Sequence, residues 1–562
     1  MSRTRQIGMA AIAALVALAL AACAGLPVSG PVNAGGALGE DDASQPDFSF
    51  VPDGPSLDAT PEQIVEGFIL AGSGTRENWR IAKEFLSSEF AEQWKPEMGV
   101  TVYEPGSREA LVESGEGQMA LTLHSTATVD ASGVYTAEND RELTLEFTLA
   151  QRSDGQWRIT QAPDGIVLDS DRFESVFGRY SLMFFDPTWE YLVPDVRWFP
   201  VTNSATSIAV ALIDGGPSRM LQGAVRTAFT DASRLAGRAV PERSGVAEVS
   251  LQPGALELDQ RVLDRMYTQL AASLETAGVL GVDMVVDGEA LSAGTETVRP
   301  VRVDTRAMVM VGDVFGLLSG GEVEPIAGLS DMIAEASPVA VEVDADRESA
   351  ALLNAGGEVV RVTAAGQEWV LDGRAGLIEP TMDAQGRVWS VPAGDPASVI
   401  VYDTDGVPHL LESAWSGATS IQAMRVSRDG TRVAAIVREG ATSAVWVAAV
   451  LRDEDGMPVE LGERVTVATL ETEGLALSWV GASDLAIVAS DGAEAWVIEQ
   501  PVGGPGERVR APEDVVAVAG GNQTGAVRVL TADGQLSEKR GGTWISVATE
   551  IDVLATQRGM PR

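Results

Sequence analysis

Cysteine and histidine are almost missing from this 562-residue chain, which has one cysteine and two histidines. A single thiol cannot form an internal disulfide. His124 and His409 lie far apart in different predicted domains, so together with the one cysteine they cannot supply a zinc site or a Ser-His-Asp triad. The chain also lacks a glycine-rich phosphate loop followed by Lys-Ser or Lys-Thr, and a dinucleotide fingerprint. These absences predict that the protein is not an enzyme and has no catalytic residues, no metal site and no cofactor.

Positive charge is scarce as well. The chain has 40 lysine and arginine residues against 81 aspartate and glutamate residues, a net charge of −41. Nucleic-acid binding requires a basic face, so we predict no nucleic-acid partner. The same acidity disfavours contact between the folded part and anionic lipid.

The single cysteine, Cys23, follows a sequence that is typical of export. Met1 to Arg5 contains two arginines, and Ile7 to Leu20 is an uncharged apolar run of 14 residues. That run is shorter than the ~20 residues of a membrane-spanning helix and fits a secretory signal. Leu20-Ala21-Ala22-Cys23 then resembles the lipobox of bacterial lipoproteins.

This resemblance implies that residues 1–22 are a lipoprotein signal peptide and that Cys23 carries the lipid. In such proteins the cysteine becomes S-diacylglycerol cysteine, cleavage makes it the N-terminus, and its amine is acylated, usually with palmitate. The predicted location is therefore the extracytoplasmic face of the cell membrane, with a lipid anchor. An ordinary signal peptide with an incidental cysteine, or a buried thiol in a cytosolic protein, are the alternatives.

Residues 23–57 are predicted to be a flexible tether that begins at the lipidated cysteine. From Ala24 to Leu57 the sequence is rich in Gly, Pro, Ser and Asp and has few aromatic residues. Such a composition cannot bury enough apolar surface to fold.

Residues 58–172 are predicted to form an α+β domain. Thr60, Pro61 and Gln63 are a helix start with a capping box, and a second amphipathic helix is predicted over 79–94. The period then changes to two, and Asp154-Gly155 is a hairpin signal in an antiparallel sheet, whose core holds Trp157 and Ile159. Two helices followed by a curved sheet resemble the NTF2-like fold.

Residues 173–300 are predicted to be a second α/β domain. The predicted order is strand, strand, a helix over 204–213, strands near Val225 and over 246–251, a long helix, and a last strand. The long helix is predicted to bury Leu258, Val262, Met266, Leu270 and Leu274 and to end at Gly278. The segments "YLVPDVRWFP", "ALIDGGPS" and "GVAEVSL" resemble the GerMN domain, to which no catalytic residues are attached.

Residues 301–562 are predicted to be a β-propeller of about six blades. Short strands recur with steps of 37, 45, 52 and 42 residues between Ala351, Val388, Val433, Leu485 and Val527, and a further unit lies near Met308. This is the repeat length of a four-stranded propeller blade. The whole chain is thus predicted to be multidomain, combining α+β and all-β folds.

Two short motifs in the propeller imitate functional sites. Asp403 with Asp405, and Asp453 with Asp455, are spaced as at the start of a calcium loop, but neither motif has the glutamate of position 12. Turns between strands use the same residues, so we interpret both motifs as turns.

A third motif and five tryptophans are interpreted as structural. "SRDGTRVAAI" resembles the signature of TolB-type and WD40-like propellers, in which Asp429-Gly430 would be a tight turn. Packing between blades is the role predicted for the tryptophans at 389, 446, 479, 496 and 544.

The lipobox, the segment "LPVSGPV" after Cys23, and the order NTF2-like, GerMN, propeller together resemble the actinobacterial LpqB lipoprotein family. The resemblance covers nearly the whole chain. It implies a non-catalytic accessory protein of the MtrAB two-component system that contacts the extracellular part of the sensor histidine kinase MtrB. Through that contact it would alter phosphorylation of the regulator MtrA, with effects on the cell envelope and on division.

A different class of function stays open from the residues alone. An extracytoplasmic ligand-binding carrier or a lipoprotein enzyme could use a pocket in the NTF2-like domain or in the propeller channel. Paired carboxylates for acid-base chemistry could exist among 81 acidic residues, and the sequence does not place them relative to one another.

Overall fold

The computed structural model describes residues 52–561, and in it three regions follow one another along the chain. The N-terminal region (52–176) begins with the helix α1, Pro61–Ala71. The backbone nitrogen of Gln63 donates to the Thr60 hydroxyl at 3.3 Å, and the Thr60 nitrogen donates to the Gln63 side chain at 2.9 Å. This is the predicted capping box, which is therefore confirmed.

The prediction of one continuous helix over 79–94 is wrong. The structure has two short helices there, α2 (Arg76–Lys83) and α3 (Ser88–Gln93). Between them the backbone pairs with the sheet, because Ile159 donates to the Phe85 carbonyl at 3.0 Å and Ser87 donates to the Ile159 carbonyl at 2.8 Å. The Ser87 hydroxyl then caps α3 by accepting from Phe90. Pairing with the sheet thus outweighs the helical periodicity.

The sheet of the N-terminal region packs against these helices, and the helix α4 (Ser170–Val176) follows it. Its strands are β1 (Gly99–Tyr103), β2 (Val112–Gly115), β3 (Gln118–Asp130), β4 (Tyr135–Gln151), β5 (Trp157–Gln161) and β6 (Ile166–Asp169). Their order is β5-β4-β3-β1-β6, with β2 beside β3. Gly155, at φ +83°, lies in the predicted hairpin between β4 and β5. The prediction of a wholly antiparallel sheet is wrong, because the chain crosses to the opposite edge of the sheet and β6 pairs parallel with β1.

The middle region (177–300) consists of a long hairpin and a small sheet covered by helices. Its elements are β7 (Phe177–Phe185), β8 (Leu192–Pro200), α5 (Ser204–Val210), β9 (Glu242–Arg243), β10 (Val246–Ser250), α6 (Gln260–Glu275), β11 (Gly281–Val286) and β12 (Glu289–Ala290). The helix α6 connects the parallel strands β10 and β11 and buries Met266, Leu270 and Leu274, as predicted, whereas Val262 is only partly buried and Leu258 lies before the helix. No strand forms near Val225; only Arg226 pairs there, with Phe185.

The propeller region (301–561) contains one helix, α7 (Ser330–Glu335), and a series of short strands. The strands are β13 (Met308–Val311), β14 (Val314–Ser319), β15 (Glu322–Pro325), β16 (Pro338–Val343), β17 (Ser349–Asn354), β18 (Val359–Thr363), β19 (Glu368–Asp372), β20 (Thr381–Met382), β21 (Val388–Ser390), β22 (Ile400–Tyr402), β23 (Pro408–Leu410), β24 (Ser420–Val426), β25 (Arg432–Glu439), β26 (Thr442–Arg452), β27 (Pro458–Leu461), β28 (Val465–Leu470), β29 (Glu473–Val480), β30 (Asp484–Ser490), β31 (Ala495–Pro501), β32 (Glu507–Arg510), β33 (Val515–Gly520), β34 (Val527–Thr531), β35 (Leu536–Arg540), β36 (Thr543–Ala548) and β37 (Val553–Gln557).

These strands pair in six four-stranded groups within residues 301–561. Five groups are consecutive, β16–β19, β20–β23, β24–β27, β29–β32 and β33–β36, with β28 added beside β26. In the remaining group β37 pairs with β13, followed by β14 and β15, so the end of the chain completes the group that the region begins with. We call the first strand of each group (β37, β16, β20, β24, β29, β33) inner, because these strands contact one another, and the fourth strand outer.

The predicted equivalence of strand positions is confirmed. Ala351, Val388, Val433, Leu485 and Val527 each lie on the second strand of their group, and Met308 lies on β13, which is also a second strand. The strand β37 additionally pairs in parallel with β16, through Glu342 with Thr556 and Val343 with Gln557. The ring of groups is therefore closed by backbone hydrogen bonds between its two ends.

Candidate functional site at the junction of the three regions

The hairpin β7–β8 contacts both of the other regions. Trp198 on β8 packs against Phe173 with ring centroids 4.8 Å apart, within the core of the N-terminal region. Its indole nitrogen donates to the Gly503 carbonyl of the propeller region at 2.8 Å. One buried side chain therefore joins three regions.

A buried ion pair lies beside Trp198 on the same strand. Arg197 is 2% exposed and donates to Asp195 at 2.8 Å and to the Ser132 carbonyl of the N-terminal region at 2.7 Å. Asp195 also accepts from the backbone of Ser218 at 2.7 Å. Breaking a buried pair of this kind leaves an uncompensated charge, so the pair constrains how the hairpin meets the N-terminal region.

The propeller region meets the hairpin through a second buried pair. Arg432 donates to Asp429 at 2.8 Å, to the Ala482 carbonyl at 2.8 Å and to the Pro194 carbonyl of β8 at 3.2 Å. Burial opposes ionisation of Asp429, but the charge of Arg432 and hydrogen bonds from Ser427 and Thr431 outweigh it. The pKa of Asp429 therefore lies below its ordinary value. The predicted turn at Asp429 is thus also part of the contact between regions.

Arg179 adds a third contact between regions, and Arg428 is a buried cation within the propeller region beside this contact. Arg179 on β7 donates to Asp484 at 2.9 Å and to Ser483 at 3.2 Å. The guanidinium of Arg428 donates to the carbonyls of Trp479, Gly520 and Gly521 and, at 3.3 Å, to that of Val301. Burial, with a smaller contribution from the charge of Arg558, lowers the pKa of Arg428 to about 10, so it remains a cation at neutral pH. These contacts hold the three regions in one arrangement.

A charged cluster lies among the inner strands beside this contact. Glu342 on β16 accepts from Thr381 at 3.2 Å and from Thr556 at 3.2 Å, and the guanidinium of Arg558 lies 3.5 Å from it. Arg425 on β24 pairs with Glu379. The cluster links strands from four groups and so contributes to ring closure.

A cleft of 1560 Å³ opens where the three regions meet. Its lining includes Thr75 and Asn78 from the N-terminal region, Asn203 and Arg238 from the middle region, and Arg464 from the propeller region. This is larger than the volume of a typical small-molecule pocket, which is roughly 300–1,000 Å³.

A smaller pocket of 310 Å³ lies in the N-terminal region between α1 and β6. It contains Arg108, which donates to Glu66 at 2.5 Å, together with Tyr103, Asp169 and Arg172. Although burial opposes its charged form, hydrogen bonding to Glu66 contributes to a raised pKa of Arg108. The pocket contains paired charges and no nucleophile beside a base.

The residues singled out from the sequence are not brought together. Cys23 lies outside the described residues. His124 pairs with Asp140 at 3.2 Å and His409 lies 3.6 Å from Asp403, in separate regions. Within residues 52–561 no group of three or more His, Cys, Asp or Glu is placed to hold a metal ion. Across that same range, no helix is long and apolar enough to cross a membrane.

The two calcium-like motifs are turns, as interpreted. The Asp403 carboxylate accepts from the backbone of Asp405 and Val407, at 2.9 and 2.8 Å. Asp453 accepts from Asp455 and Met457 in the same way, at 3.0 and 2.8 Å. Their oxygens therefore serve backbone nitrogens.

Four of the five tryptophans of the propeller pack between neighbouring groups as predicted, whereas Trp496 contacts an arginine of its own group. Trp389 and Trp446 are fully buried in one cluster, and Trp479 is buried in the next. Trp496 lies under Arg508, 3.9 Å from ring centroid to guanidinium, and Trp544 is partly buried. Trp157 is likewise partly buried, and Ile159 is fully buried in the sheet core.

Sequence reasoning missed the arginines of the junction. The motif "SRDGTR" contains Arg428, Asp429 and Arg432, and the interpretation stopped at the turn. Arginines in such a turn could have indicated contacts with distant parts of the chain, because a guanidinium that cannot reach solvent needs several acceptors. Arg197 and Trp198, within "YLVPDVRWFP", carry no signal of a partner that is distant in the sequence.

Three family models match consecutive parts of the chain. Residues 54–174 match the model for lipoprotein LpqB, N-terminal domain; residues 181–292 match Germane, sporulation and spore germination; and residues 307–553 match the lipoprotein LpqB beta-propeller domain. The chain belongs to the LpqB lipoprotein family. The resemblance drawn from the lipobox and the domain order is therefore confirmed.

Curated members of the LpqB family match over most of their length. Lipoprotein LpqB of Bifidobacterium longum is 25% identical, with 99% of each chain covered. Lipoprotein LpqB of Streptomyces coelicolor is 27% identical, with 84% of each chain covered, and that of Cutibacterium acnes is 25% identical, with 79% covered. Among solved structures, a nidogen/laminin complex matches at 12% identity and a TM-score of 0.33, covering 44% of this chain and 96% of its own.

Proposed function

We propose that this LpqB-family chain is a lipid-anchored, extracytoplasmic accessory protein of a sensor histidine kinase of the MtrB type, and that it acts by binding. One observation carries the non-catalytic part. The strongly buried charged side chains at the junction, Arg197 and Arg432, each bind a backbone carbonyl of a neighbouring region and a carboxylate of their own region. Charged groups in the site are thus engaged in fixing an arrangement of domains.

The proposal includes the organisation of the chain. Residues 1–22 are the signal peptide, Cys23 is lipidated, and residues 23–57 are the tether. The NTF2-like, GerMN and propeller domains occupy 58–172, 173–300 and 301–562. The connections at Trp198 and Arg432 support a body that presents all three domains to a partner in fixed orientation.

Regulation requires that the protein distinguish two states of the sensor. A binding partner shifts a two-state equilibrium only by its difference in affinity for the two states, and about 1.4 kcal/mol changes the ratio tenfold. A body with fixed domain orientations suits this task, because it fits one geometry of the sensor better than another. Anchoring in the same membrane raises the local concentration of both proteins.

The test is to reconstitute the full chain and the full-length sensor in one liposome with the regulator outside. We expect the chain to change the rate of regulator phosphorylation, and cells lacking it to show changed phosphorylation. The matched control is a soluble protein of equal charge attached to the same lipid anchor. Unchanged phosphorylation in both settings, together with no binding at high micromolar concentration, contradicts the proposal.

The anchor is tested separately with Cys23→Ala. We expect this variant to leave the membrane fraction or to remain uncleaved, and not to incorporate labelled palmitate. Both neighbours of Cys23 are already alanine, so neither can serve as a control substitution to alanine. Ser29→Ala, downstream of the lipobox, is the control. If Cys23→Ala still incorporates label and stays with lipid, the anchor is wrong.

A second candidate function is ligand carriage, which the 1560 Å³ cleft favours. A carrier would be stabilised by its ligand, because binding to the folded state raises the free energy of unfolding. Thermal unfolding of the full chain with envelope extracts tests this. A reproducible rise that is lost in a Val210→Trp variant, in which an exposed residue of α5 that lines the cleft is enlarged, would favour the carrier over the regulator.

A further inference from the structure

Three neighbouring propeller groups share an outer surface that is both acidic and apolar. It consists of residues 364–370, 403–412 and 453–460, which we call the acidic surface. These segments contain eight carboxylates and no lysine or arginine. Five apolar side chains are exposed among them: Trp369 at 38%, Val370 at 56%, Val407 at 49%, Leu410 at 63% and Val459 at 41%.

The segments are contiguous. Arg361 donates to the Thr404 carbonyl at 2.9 Å, which ties the loop at 403–407 to the group of β19. A Cβ built on Gly406 in that loop would lie 3.4 Å from Leu371 of β19. Glu412, after β23, donates its backbone N–H to the Val459 carbonyl of β27 at 3.3 Å. The exposed apolar side chains therefore belong to one surface.

Asp403 of this surface lies 3.6 Å from His409, and the charge of Arg361 acts on Asp403 and Asp405, but the four glutamates of the surface have no ion pair among the described residues. On the next group, β29–β32, two exposed glutamates have arginine partners: Glu471 with Arg508 at 2.9 Å, and Glu494 with Arg510 at 3.0 Å. In the acidic surface, Glu368, Glu412, Glu454 and Glu460 have no ion pair among the described residues. Unpaired carboxylates around exposed apolar side chains are the arrangement of an interface rim around its centre.

The charge decides which occupant fits. Anionic lipid and nucleic acid are repelled by eight carboxylates. A second copy using the same surface would place like charges against each other, which is also unfavourable. A protein surface with arginine or lysine around an aliphatic or aromatic centre would neutralise the carboxylates and cover the apolar residues.

We infer that the acidic surface is the docking site for such a basic protein surface, and, resting on the proposed function, that the extracellular part of the sensor provides it. Trp369 and Leu410 are then the central contacts. The carboxylates set the orientation and accelerate association, so binding weakens as salt is raised.

The test measures binding of the full chain to the full-length sensor in nanodiscs. One variant reverses four charges of the acidic surface, Glu368→Arg, Glu412→Arg, Glu454→Arg and Glu460→Arg. The matched control reverses four exposed glutamates on other groups that have no ion pair among the described residues, Glu322→Arg, Glu335→Arg, Glu507→Arg and Glu513→Arg. Both variants change the net charge equally, so the difference between them reports position alone.

We expect the first variant to weaken binding at least about tenfold and the control to change it less than about twofold. Trp369→Ala is expected to weaken binding roughly thirtyfold, since aromatic side chains dominate binding energy. Unfolding curves establish that the variants are folded. Equal binding by both charge variants and by Trp369→Ala overturns the acidic surface while the proposed function stands. If the unmodified chain does not bind the sensor, the proposed function fails and this inference fails with it.

Discussion

The inner and outer strands of the propeller use charge in opposite ways. Along the inner strands, in the turns that follow them and at the start of the second strand β25, arginines are buried and donate to several acceptors, as Arg432 does to Asp429, Ala482 and Pro194. On the outer strands β19 and β27, and just after the outer strand β23, glutamates are exposed and have no such partners. A chain with a net charge of −41 thus places several of its few cations inside the propeller.

The buried arginines contribute to the structure, whereas the exposed glutamates are available for recognition of another molecule. A buried guanidinium is tolerated only where carbonyls and carboxylates surround it, so each inner arginine fixes a geometry. An exposed carboxylate adds little to stability and is free to meet another molecule. We therefore expect substitutions inside the ring to change unfolding and substitutions on the acidic surface to change binding.

Removing the last strand should have the largest effect on the stability of the propeller. Deletion of residues 553–562 removes β37, its pairing with β13 and β16, and Arg558 beside Glu342. Each group buries its faces only against its neighbours, so an open ring should lose its cooperative transition. Calorimetry of the full chain and limited proteolysis measure this. Deletion of residues 561–562 alone, which keeps β37, is the control.

A protease-resistant propeller with an unchanged transition after deletion of residues 553–562 would contradict ring closure. In that case the contacts among the inner strands would not depend on the end of the chain.

Replacing the buried arginine Arg432 by methionine should have the second-largest effect on stability. Asp429 would stay buried without its partner, which costs about 3–5 kcal/mol of the free energy of unfolding. Denaturant unfolding measures the loss. Arg438→Met on the same strand is the control, because Arg438 is partly exposed, pairs with Glu473 at 3.5 Å and should contribute less than about 1 kcal/mol. Equal losses in the two variants would mean that burial does not distinguish them.

Acid should weaken the buried ion pairs of the propeller region. Hydrogen bonds from Arg306 hold the pKa of Asp304 below its ordinary value, and for Asp429 and Asp372 arginine partners outweigh the effect of burial to the same result. Their unfolded pKa is about 3.9, so the unfolded chain binds more protons in acid. Stability from these groups is complete above that pH and is lost as the pH falls through the folded pKa values.

The free energy of unfolding should therefore fall below about pH 4. Asp429→Asn should be less stable at pH 7 and should depend less on pH in that range. Glu454→Gln, on the acidic surface, is the control and should follow the unmodified chain. An identical pH dependence in Asp429→Asn would remove Asp429 from this explanation.

Much of the fold could be predicted from the sequence, because it depends on local signals. The capping box at Thr60 and Gln63, the α6 stripe of Met266, Leu270 and Leu274, and the positions that repeat on second strands are short patterns with a period. The helix over 79–94 could not be predicted correctly, since pairing of Phe85 and Ser87 with Ile159 joins residues more than 70 positions apart.

The junction was beyond the sequence for the same reason. Trp198 and Gly503 lie 305 positions apart, and so do Arg179 and Asp484. Nothing in a strand pattern says which distant carbonyl an indole or a guanidinium will meet. The acidic surface was visible only as turn motifs, because its apolar residues are single members of three separate strands and loops.

The smallest effect on stability is expected for substitutions on the acidic surface. Glu412→Arg and Glu454→Arg should change the free energy of unfolding by no more than about 0.5 kcal/mol, because both side chains are exposed. Each substitution also removes repulsion between the glutamate and the neighbouring carboxylates, which offsets small losses elsewhere. Chemical unfolding at low and at high salt measures this, with Arg432→Met as the comparison from the inner side. A loss above about 1 kcal/mol in either variant would give these carboxylates a structural role. Unchanged unfolding combined with weakened binding to the sensor leaves recognition as the reason why the segments that contain Trp369 and Leu410 also carry exposed, unpaired glutamates.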